Sequence, residues 1–254
     1  MTNSSLTTIT AKPAPEETQS CWSCGTMRAT HFCEACGKVQ PPAPVDYFAF
    51  FGLPRKLNID VSALDKDFYD LSRKLHPDLN ARAGSQEQEW SLQQTSLLND
   101  AHRTLKDPIT RTQYLLKLEG VELEEQSKSA TEQARSSGQT KKQIVPPDLL
   151  EEVFELNMQL EELRAQKKMG GGDDAALVEE IGRHKLELEE KHEALLRQLQ
   201  QEWKMWDGMI QRQQNGQPVS EEERKQERGK LLDLLNRRNY IRNLVTVVGE
   251  ALEN

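Results

Sequence analysis

The apolar residues of this 254-residue chain recur at helical spacing over most of its length, and this periodicity limits the fold more than any other feature. One stripe, for example, runs through Leu149, Val153, Leu156, Leu160 and Leu163. Apolar residues make up only 36% of the chain, which is little for one large core but suits helices that each bury one stripe. We find no convincing strand pattern and no internal repeat. We therefore expect an all-α fold.

All four cysteines lie between residues 21 and 36, as two C-x2-C pairs with eight residues between them: Cys21 with Cys24, and Cys33 with Cys36. Each pair can place two thiolates on one side of a tight turn, and four sulfurs complete a tetrahedron around Zn²⁺ with no open position. This pattern predicts a small structural zinc module, because a disulfide framework would spread its cysteines through the fold. Iron or a redox-active dithiol is the alternative interpretation. The nearby His31 is expected at the surface and not as a ligand.

The tripeptide His76-Pro77-Asp78 ends one amphipathic helix and precedes another. Proline fixes φ and restrains the preceding histidine, so the corner would present Asp78 in one conformation. The alternative is a helix stop and turn with no further role. No nucleophile or oxyanion-forming loop accompanies the tripeptide, so we expect a binding protein and not an enzyme. The helix before it, at about residues 60–75, has a core stripe of Leu64, Phe68, Leu71 and Leu75 and a basic face of Lys66, Arg73 and Lys74.

These features resemble a J-domain. The segments DYFAFFGLP, LSRKLHPD and AHRTLKDPITRTQYLL further resemble the HscB family of J-proteins, called Jac-type in fungi. The resemblance covers roughly residues 21–254 and includes the four-cysteine module of some eukaryotic members. It implies that the His-Pro-Asp corner and the basic face bind an Hsp70 and speed its ATP hydrolysis.

The C-terminal part, residues 148–254, is expected to form a three-helix bundle. The first helix would begin near Asp148 and end before the glycines at 170–172, and the middle helix would span about residues 174–213. The last helix would begin with a capping box at Ser220. In the middle helix, His184 and His192 are expected at the edge of the buried face and not as metal ligands.

The first C-terminal helix carries a second apolar stripe, Leu150, Phe154 and Met158, about 100–180° around the helix from the first. A helix in a three-helix bundle needs one wide buried face, so this stripe is either part of a broad core or a docking surface. The HscB resemblance favours docking of the iron–sulfur cluster scaffold protein. It also assigns a scaffold contact to Tyr240, which falls off the core stripe of the last helix. The implied scaffold-binding residues are Leu149, Leu150, Phe154, Glu155, Met158, Gln159, Glu162 and Tyr240.

Five segments are expected along the chain. They are a disordered N-terminus (1–20), the zinc module (21–44), the J-domain (45–120), a flexible linker (121–147) and the helical scaffold-binding domain (148–254). The first twenty residues contain no arginine and carry Glu16 and Glu17, a poor match to a mitochondrial presequence. The family resemblance nevertheless implies the mitochondrial matrix, which leaves a cytoplasmic location as the alternative.

The expected function is that of a co-chaperone, which stimulates the ATPase of an Hsp70 and delivers the cluster scaffold to it, promoting cluster transfer. The alternative is a J-domain-containing zinc or iron redox or electron-transfer protein. The net charge of −8 argues against nucleic acid as a partner. No apolar run approaches the roughly 18–20 residues of a membrane helix, so no membrane partner is expected. A homodimer is compatible with the sequence.

Overall fold

The structure is a computed structural model that describes residues 20–27, 30–121, 149–168 and 174–253. Four expectations fall outside these residues: the disorder of residues 1–19, the linker from residue 122 on, the helix start at Asp148 and the glycine break at 170–172. Within the described part, every regular element is helical, apart from one isolated antiparallel bridge between Phe32 and Val39. The predicted all-α fold is confirmed.

Seven α-helices follow one another in the described residues. They are α1 (Tyr47–Phe50), α2 (Val61–Leu75), α3 (Ser85–Lys106), α4 (Pro108–Leu118), α5 (Leu150–Lys168), α6 (Ala175–Gln214) and α7 (Glu221–Glu253), and a short 3₁₀ helix, Pro77–Asn80, follows α2. The chain divides into two compact units, of which the first contains residues up to Leu53 and Asp60–Lys106. The second contains Pro54–Ile59 and the residues from Asp107 on. The expected J-domain (45–120) thus contributes to both units, and the domain boundaries stay a prediction.

The first unit is built around the pair of helices α2 and α3. Asp60 caps α2, because its carboxylate accepts hydrogen bonds from two backbone N–H groups of the first turn, at 2.9 and 3.1 Å. In the predicted stripe of α2, Leu64 and Leu75 are fully buried, and Phe68 and Leu71 are half-buried. One core cluster of the unit consists of Val39, Phe50, Leu75, Leu98 and Ala101.

The second unit contains the C-terminal helices α5, α6 and α7, which pack against one another. Asp174 caps α6 by accepting a hydrogen bond from the N–H of Ala176 at 3.0 Å. The hydroxyl of Ser220 accepts from the N–H of Glu223 at 3.1 Å, as the predicted capping box requires. None of the described helices combines the length and apolarity needed to cross a lipid bilayer. The predicted core stripe of α5 is buried at all five positions: Leu149, Val153, Leu156, Leu160 and Leu163.

The loop Pro54–Ile59 belongs to the second unit although it lies between α1 and α2 in the sequence. The carboxylate of Asp207 on α6 accepts hydrogen bonds from the backbone N–H groups of Leu57 and Asn58, at 2.6 and 2.9 Å. The side chain of Leu57 is fully buried. The indole N–H of Trp206 also donates to the carbonyl of Arg55 at 2.9 Å, and Nζ of Lys56 donates to Oε1 of Gln211 at 2.7 Å. Helical periodicity does not reveal these attachments.

Candidate functional site

The four cysteine thiols meet in one cluster of the first unit. All four Sγ atoms lie within 4.8 Å of one another, and the Cys21–Cys36 and Cys24–Cys33 pairs are each separated by 3.6 Å. A tetrahedron with Zn–S bonds of about 2.3 Å has edges of about 3.8 Å, so the sulfurs are spaced as such a site requires. The predicted ligand set is thus brought together and could hold a metal ion.

Each of the two C-x2-C pairs folds into a turn, and the two turns have the same hydrogen-bond pattern. The N–H of Gly25 donates to the carbonyl of Cys21 at 2.9 Å, and the N–H of Gly37 donates to that of Cys33 at 2.7 Å. Both glycines have a positive φ, of 74° and 71°, which residues with a side chain rarely adopt. A glycine directly after the second cysteine of each pair therefore lets both thiols of the pair turn to the same side.

The thiols of the cluster differ in acidity. Burial disfavours the Cys21 thiolate, but hydrogen bonds from the backbone N–H groups of Cys24 and Ser23 outweigh it and lower the pKa of Cys21 to about 6. At Cys36 the backbone N–H of Lys38 favours the thiolate, yet burial and the three neighbouring thiols raise its pKa to about 12. Four crowded thiols resist full ionisation by themselves, and a bound cation removes this obstacle.

His31 connects the cysteine module to the helices of the first unit. Its Nδ1 lies 2.9 Å from Oε1 of Gln94, and its Nε2 lies 2.8 Å from the carbonyl oxygen of Phe50. The centroids of the His31 and Phe50 rings are 4.1 Å apart. Gln94 is buried and donates from Nε2 to the carbonyls of His31 and Gln40, at 3.2 and 2.6 Å. The expectation that His31 is a surface residue is therefore wrong, because the module packs against α3 and α1.

The tripeptide His76-Pro77-Asp78 forms an exposed corner after α2. His76 has φ −59° and ψ 131°, the extended conformation favoured before proline, and its Nδ1 accepts a hydrogen bond from the N–H of Asp78 at 3.2 Å. The side chains of His76 and Asp78 are 50% and 89% exposed, so both face solvent. The basic side chains of α2, namely Lys66, Arg73 and Lys74, are exposed as well.

Three polar side chains hold the backbone of this corner by hydrogen bonds. The carbonyl of Leu75 accepts hydrogen bonds from the hydroxyls of Ser91 and Thr95, at 2.6 and 2.9 Å. The side-chain amide of Asn80 donates to the carbonyl of His76 at 3.1 Å. Sequence reasoning missed these positions, although two hydroxyl residues four apart on α3 are a detectable signal for one polar helix face.

Leu150, Phe154 and Met158 form an exposed apolar stripe on α5. Their side chains are 52%, 68% and 60% exposed, while the opposite stripe of the same helix is buried. Of the two alternatives for this stripe, the broad core is therefore wrong. Glu155 and Glu162 are exposed on the same helix and give it negative charge.

Leu149 and Tyr240 lie in the core of the second unit, where they are 7% and 5% exposed. The expectation that Tyr240 falls outside the core is wrong, because α7 packs against both α5 and α6 and so buries more than one stripe. Burial also raises the pKa of the Tyr240 hydroxyl. Gln159 is half-buried. The implied scaffold-binding residues that remain accessible are Leu150, Phe154, Glu155, Met158 and Glu162.

His184 and His192 are half-buried on α6, at the edge of the core as expected. Burial, together with the nearby Arg238, lowers the pKa of His192. The cluster of potential metal ligands in the described residues is the four-cysteine group, and neither histidine belongs to it.

Comparisons with known proteins agree with this set of features. The chain is 34% identical over 143 residues to the iron-sulfur cluster co-chaperone protein HscB homolog of Arabidopsis thaliana, which covers 56% of this chain and 51% of that protein. It is 39% identical over 111 residues to the iron-sulfur cluster co-chaperone protein HscB of Mus musculus, covering 41% of this chain and 47% of that protein. These similarities support an HscB-type J-protein. The chain spans about half the length of the curated relatives it matches.

A solved structure shares the fold of this chain. The crystal structure of human co-chaperone protein HscB matches 91% of this chain and 98% of its own, with a TM-score of 0.56 and 22% identity, which shows a shared fold. No protein-family model matches the chain. The two curated relatives confirm the predicted resemblance to the HscB family. Within the part of the chain that the structure describes, the features with a candidate role are the four-cysteine cluster, the His-Pro-Asp corner and the apolar stripe of α5.

Proposed function

We propose that this chain is an iron–sulfur cluster co-chaperone that joins two proteins: an Hsp70, whose ATPase it stimulates, and a cluster scaffold protein, which it delivers to that Hsp70. The observation that carries the proposal is the exposure of both candidate surfaces. The chain performs no bond chemistry in this mechanism. Because one molecule holds both partners, it raises the effective concentration of the scaffold near the Hsp70.

The Hsp70 half of the proposal assigns binding to the corner and the basic face of α2. The side chain of Asp78 is 89% exposed, and hydrogen bonds to the Leu75 and His76 carbonyls restrain the backbone of the corner. A preorganised loop loses less entropy on binding than a mobile one. Lys66, Arg73 and Lys74 would meet an acidic surface of the Hsp70.

The scaffold half of the proposal assigns binding to the exposed stripe of α5. The side chains of Leu150, Phe154 and Met158 are each more than half exposed to water. A partner that covers them would remove this apolar surface from water. Helical spacing of these anchors is the pattern with which a helix docks in an apolar groove. The negative charges of Glu155 and Glu162 favour a groove with a basic rim.

The metal in this proposal is a structural Zn²⁺ held by Cys21, Cys24, Cys33 and Cys36. Four protein ligands leave no open coordination position, so the ion would cross-link the two turns of the module and activate no water. The compartment we propose is the mitochondrial matrix.

The Hsp70 half is tested by the ATPase rate of an Hsp70 with scaffold and increasing co-chaperone. We expect His76→Gln and Asp78→Asn to abolish stimulation while the helix content remains that of the wild type. Asp100→Asn is the matched control, because it makes the same chemical change on α3 and removes only a surface ion pair with Arg103. Stimulation by His76→Gln equal to that of the wild type would refute this half.

The scaffold half is tested by the affinity of the full chain for the scaffold. Interface anchors contribute about 2 kcal/mol or more, so we expect Leu150→Ala or Phe154→Ala to weaken binding by about 30-fold. Leu186→Ala is the matched control, since this leucine of α6 is 61% exposed and lies outside the stripe. Equal affinities of the Leu150→Ala and Leu186→Ala variants would contradict the assignment.

A further inference from the structure

The ammonium group of Lys74 lies over the ring of Phe32, with 4.2 Å between Nζ and the ring centroid. Both residues belong to the first unit, so the contact joins the four-cysteine module to the basic face of α2. Lys74 is exposed and lies two residues before His76. A cation over the face of an aromatic ring is attracted by the ring quadrupole. The module thus holds one of the charges assigned above to Hsp70 binding.

Phe32 is itself held firmly. It directly precedes Cys33 and forms the β-bridge with Val39, whose side chain is fully buried. The buried carboxylate of Glu87 on α3 accepts hydrogen bonds from the N–H of Val39 at 3.2 Å and from Nζ of Lys38 at 2.8 Å. Because Phe32 directly precedes a cysteine of the cluster and is bridged to a buried residue, its backbone has little freedom. Its ring is therefore a fixed support for the flexible side chain of Lys74.

We propose that Phe32 is a positioning residue for Hsp70 binding, so that the four-cysteine module supports the partner-binding face of α2 through Lys74. The inference rests on the proposed function, because it requires Lys74 to contact the Hsp70. A lysine side chain loses rotamer freedom when it binds a partner, and a side chain already held in place loses less. Loss of the ring should therefore weaken binding but leave the stimulated rate at saturation unchanged.

The test is a titration of Hsp70 ATPase stimulation with the metal-loaded full chain. Phe32→Leu keeps an apolar side chain but removes the ring, and we expect it to raise the half-maximal concentration about two- to fivefold with an unchanged maximal rate. Phe32→Tyr keeps the ring and should titrate as the wild type does. In a Lys74→Met background, Phe32→Leu should have no further effect, because it acts through the lysine.

A second measurement is independent of the Hsp70. Ring currents of Phe32 shift the ε-methylene protons of Lys74 to higher field in the NMR spectrum, and Phe32→Leu should remove this shift while Phe32→Tyr keeps it. The inference is overturned if the effect of Phe32→Leu persists without Lys74, or if the lysine resonances do not respond. If His76→Gln is inactive but Phe32→Leu titrates as the wild type, this inference fails and the proposed function stands. If His76→Gln is fully active, the proposed function fails.

Discussion

Glu227 of α7 is a buried carboxyl group whose protonation should couple the stability of the second unit to pH. Its side chain is 6% exposed, and its neighbours are the Glu202 carboxylate of α6 and the Lys230 ammonium, which lies 3.2 Å from its Oε2. Burial, a hydrogen bond to the Glu202 carboxylate and the like charge of that group raise the pKa of Glu227 to about 7, against the opposing effect of Lys230. We predict that Glu227→Gln stabilises the protein at pH 8 and has little effect at pH 5.

The sign follows from proton binding. Between pH 4.5 and about 7, the folded state keeps a proton on Glu227, whereas the unfolded chain, in which this carboxyl has its ordinary pKa of 4.5, has lost it. The stability that this carboxyl contributes is therefore fully present below pH 4.5 and is lost as the pH rises to about 7. This interval corresponds to at most about 3 kcal/mol. Glutamine resembles the protonated acid but gives up the partly buried ion pair with Lys230, so we expect a net gain of about 1–2 kcal/mol at pH 8.

The assay is urea unfolding of the full chain, followed by circular dichroism at pH 5 and at pH 8. The quantity compared is the difference in the free energy of unfolding between variant and wild type at each pH, in which the titration of groups that do not contact Glu227 cancels. Glu187→Gln is the matched control, because it makes the same change at an exposed position in the middle of α6 and should shift neither curve. Glu202→Gln should reproduce part of the gain at pH 8, since it removes the like charge.

The reasoning would be refuted by a Glu227→Gln protein that is less stable than the wild type at pH 8. It would also be refuted by an effect of equal size at both pH values, because the stabilisation must then come from something other than the proton.

The remaining predictions concern the core and the metal. Leu156 is 1% exposed, so Leu156→Ala should lower the free energy of unfolding by about 2–5 kcal/mol, whereas Leu186→Ala at the surface should change it by less than about 0.5 kcal/mol; urea unfolding checks both. Cys33→Ser should reduce the metal content from about one zinc per chain, measured by atomic absorption, because it removes one of four ligands. It should also change the tryptophan fluorescence, because Trp22 belongs to the same module and its ring centroid lies 5.7 Å from that of Trp90. A reversible iron signal in the wild type would contradict the zinc assignment.

Much of the fold could be predicted because its determinants are local. The start of α6 was expected at about residue 174, and the helix begins one residue after its cap at Asp174. The five-residue stripe of α5 was assigned to the core from spacing alone and is buried throughout. The four metal-ligand candidates lie within sixteen residues, so short-range spacing was enough to group them.

Other features could not be predicted because they depend on neighbours distant in the chain. His31 contacts Gln94, which is 63 residues away, and no local sequence pattern at either residue predicts the contact. Tyr240 is off the stripe of its own helix, but the presence of both α5 and α6 beside α7 buries it. The loop that contains Leu57 is attached by Asp207, 150 residues further on.

By itself, the sequence determined the helical character of the chain, the angular positions of its apolar stripes, the pairing of its cysteines into one cluster and the corner at His76. Each of these follows from dihedral preferences and residue spacing within a few helical turns. Only the tertiary structure decided which stripe of α5 stays exposed, that Tyr240 is buried and that Phe32 supports Lys74. The physical reason is that spacing sets the direction in which a side chain points, whereas burial depends on what another part of the chain places there.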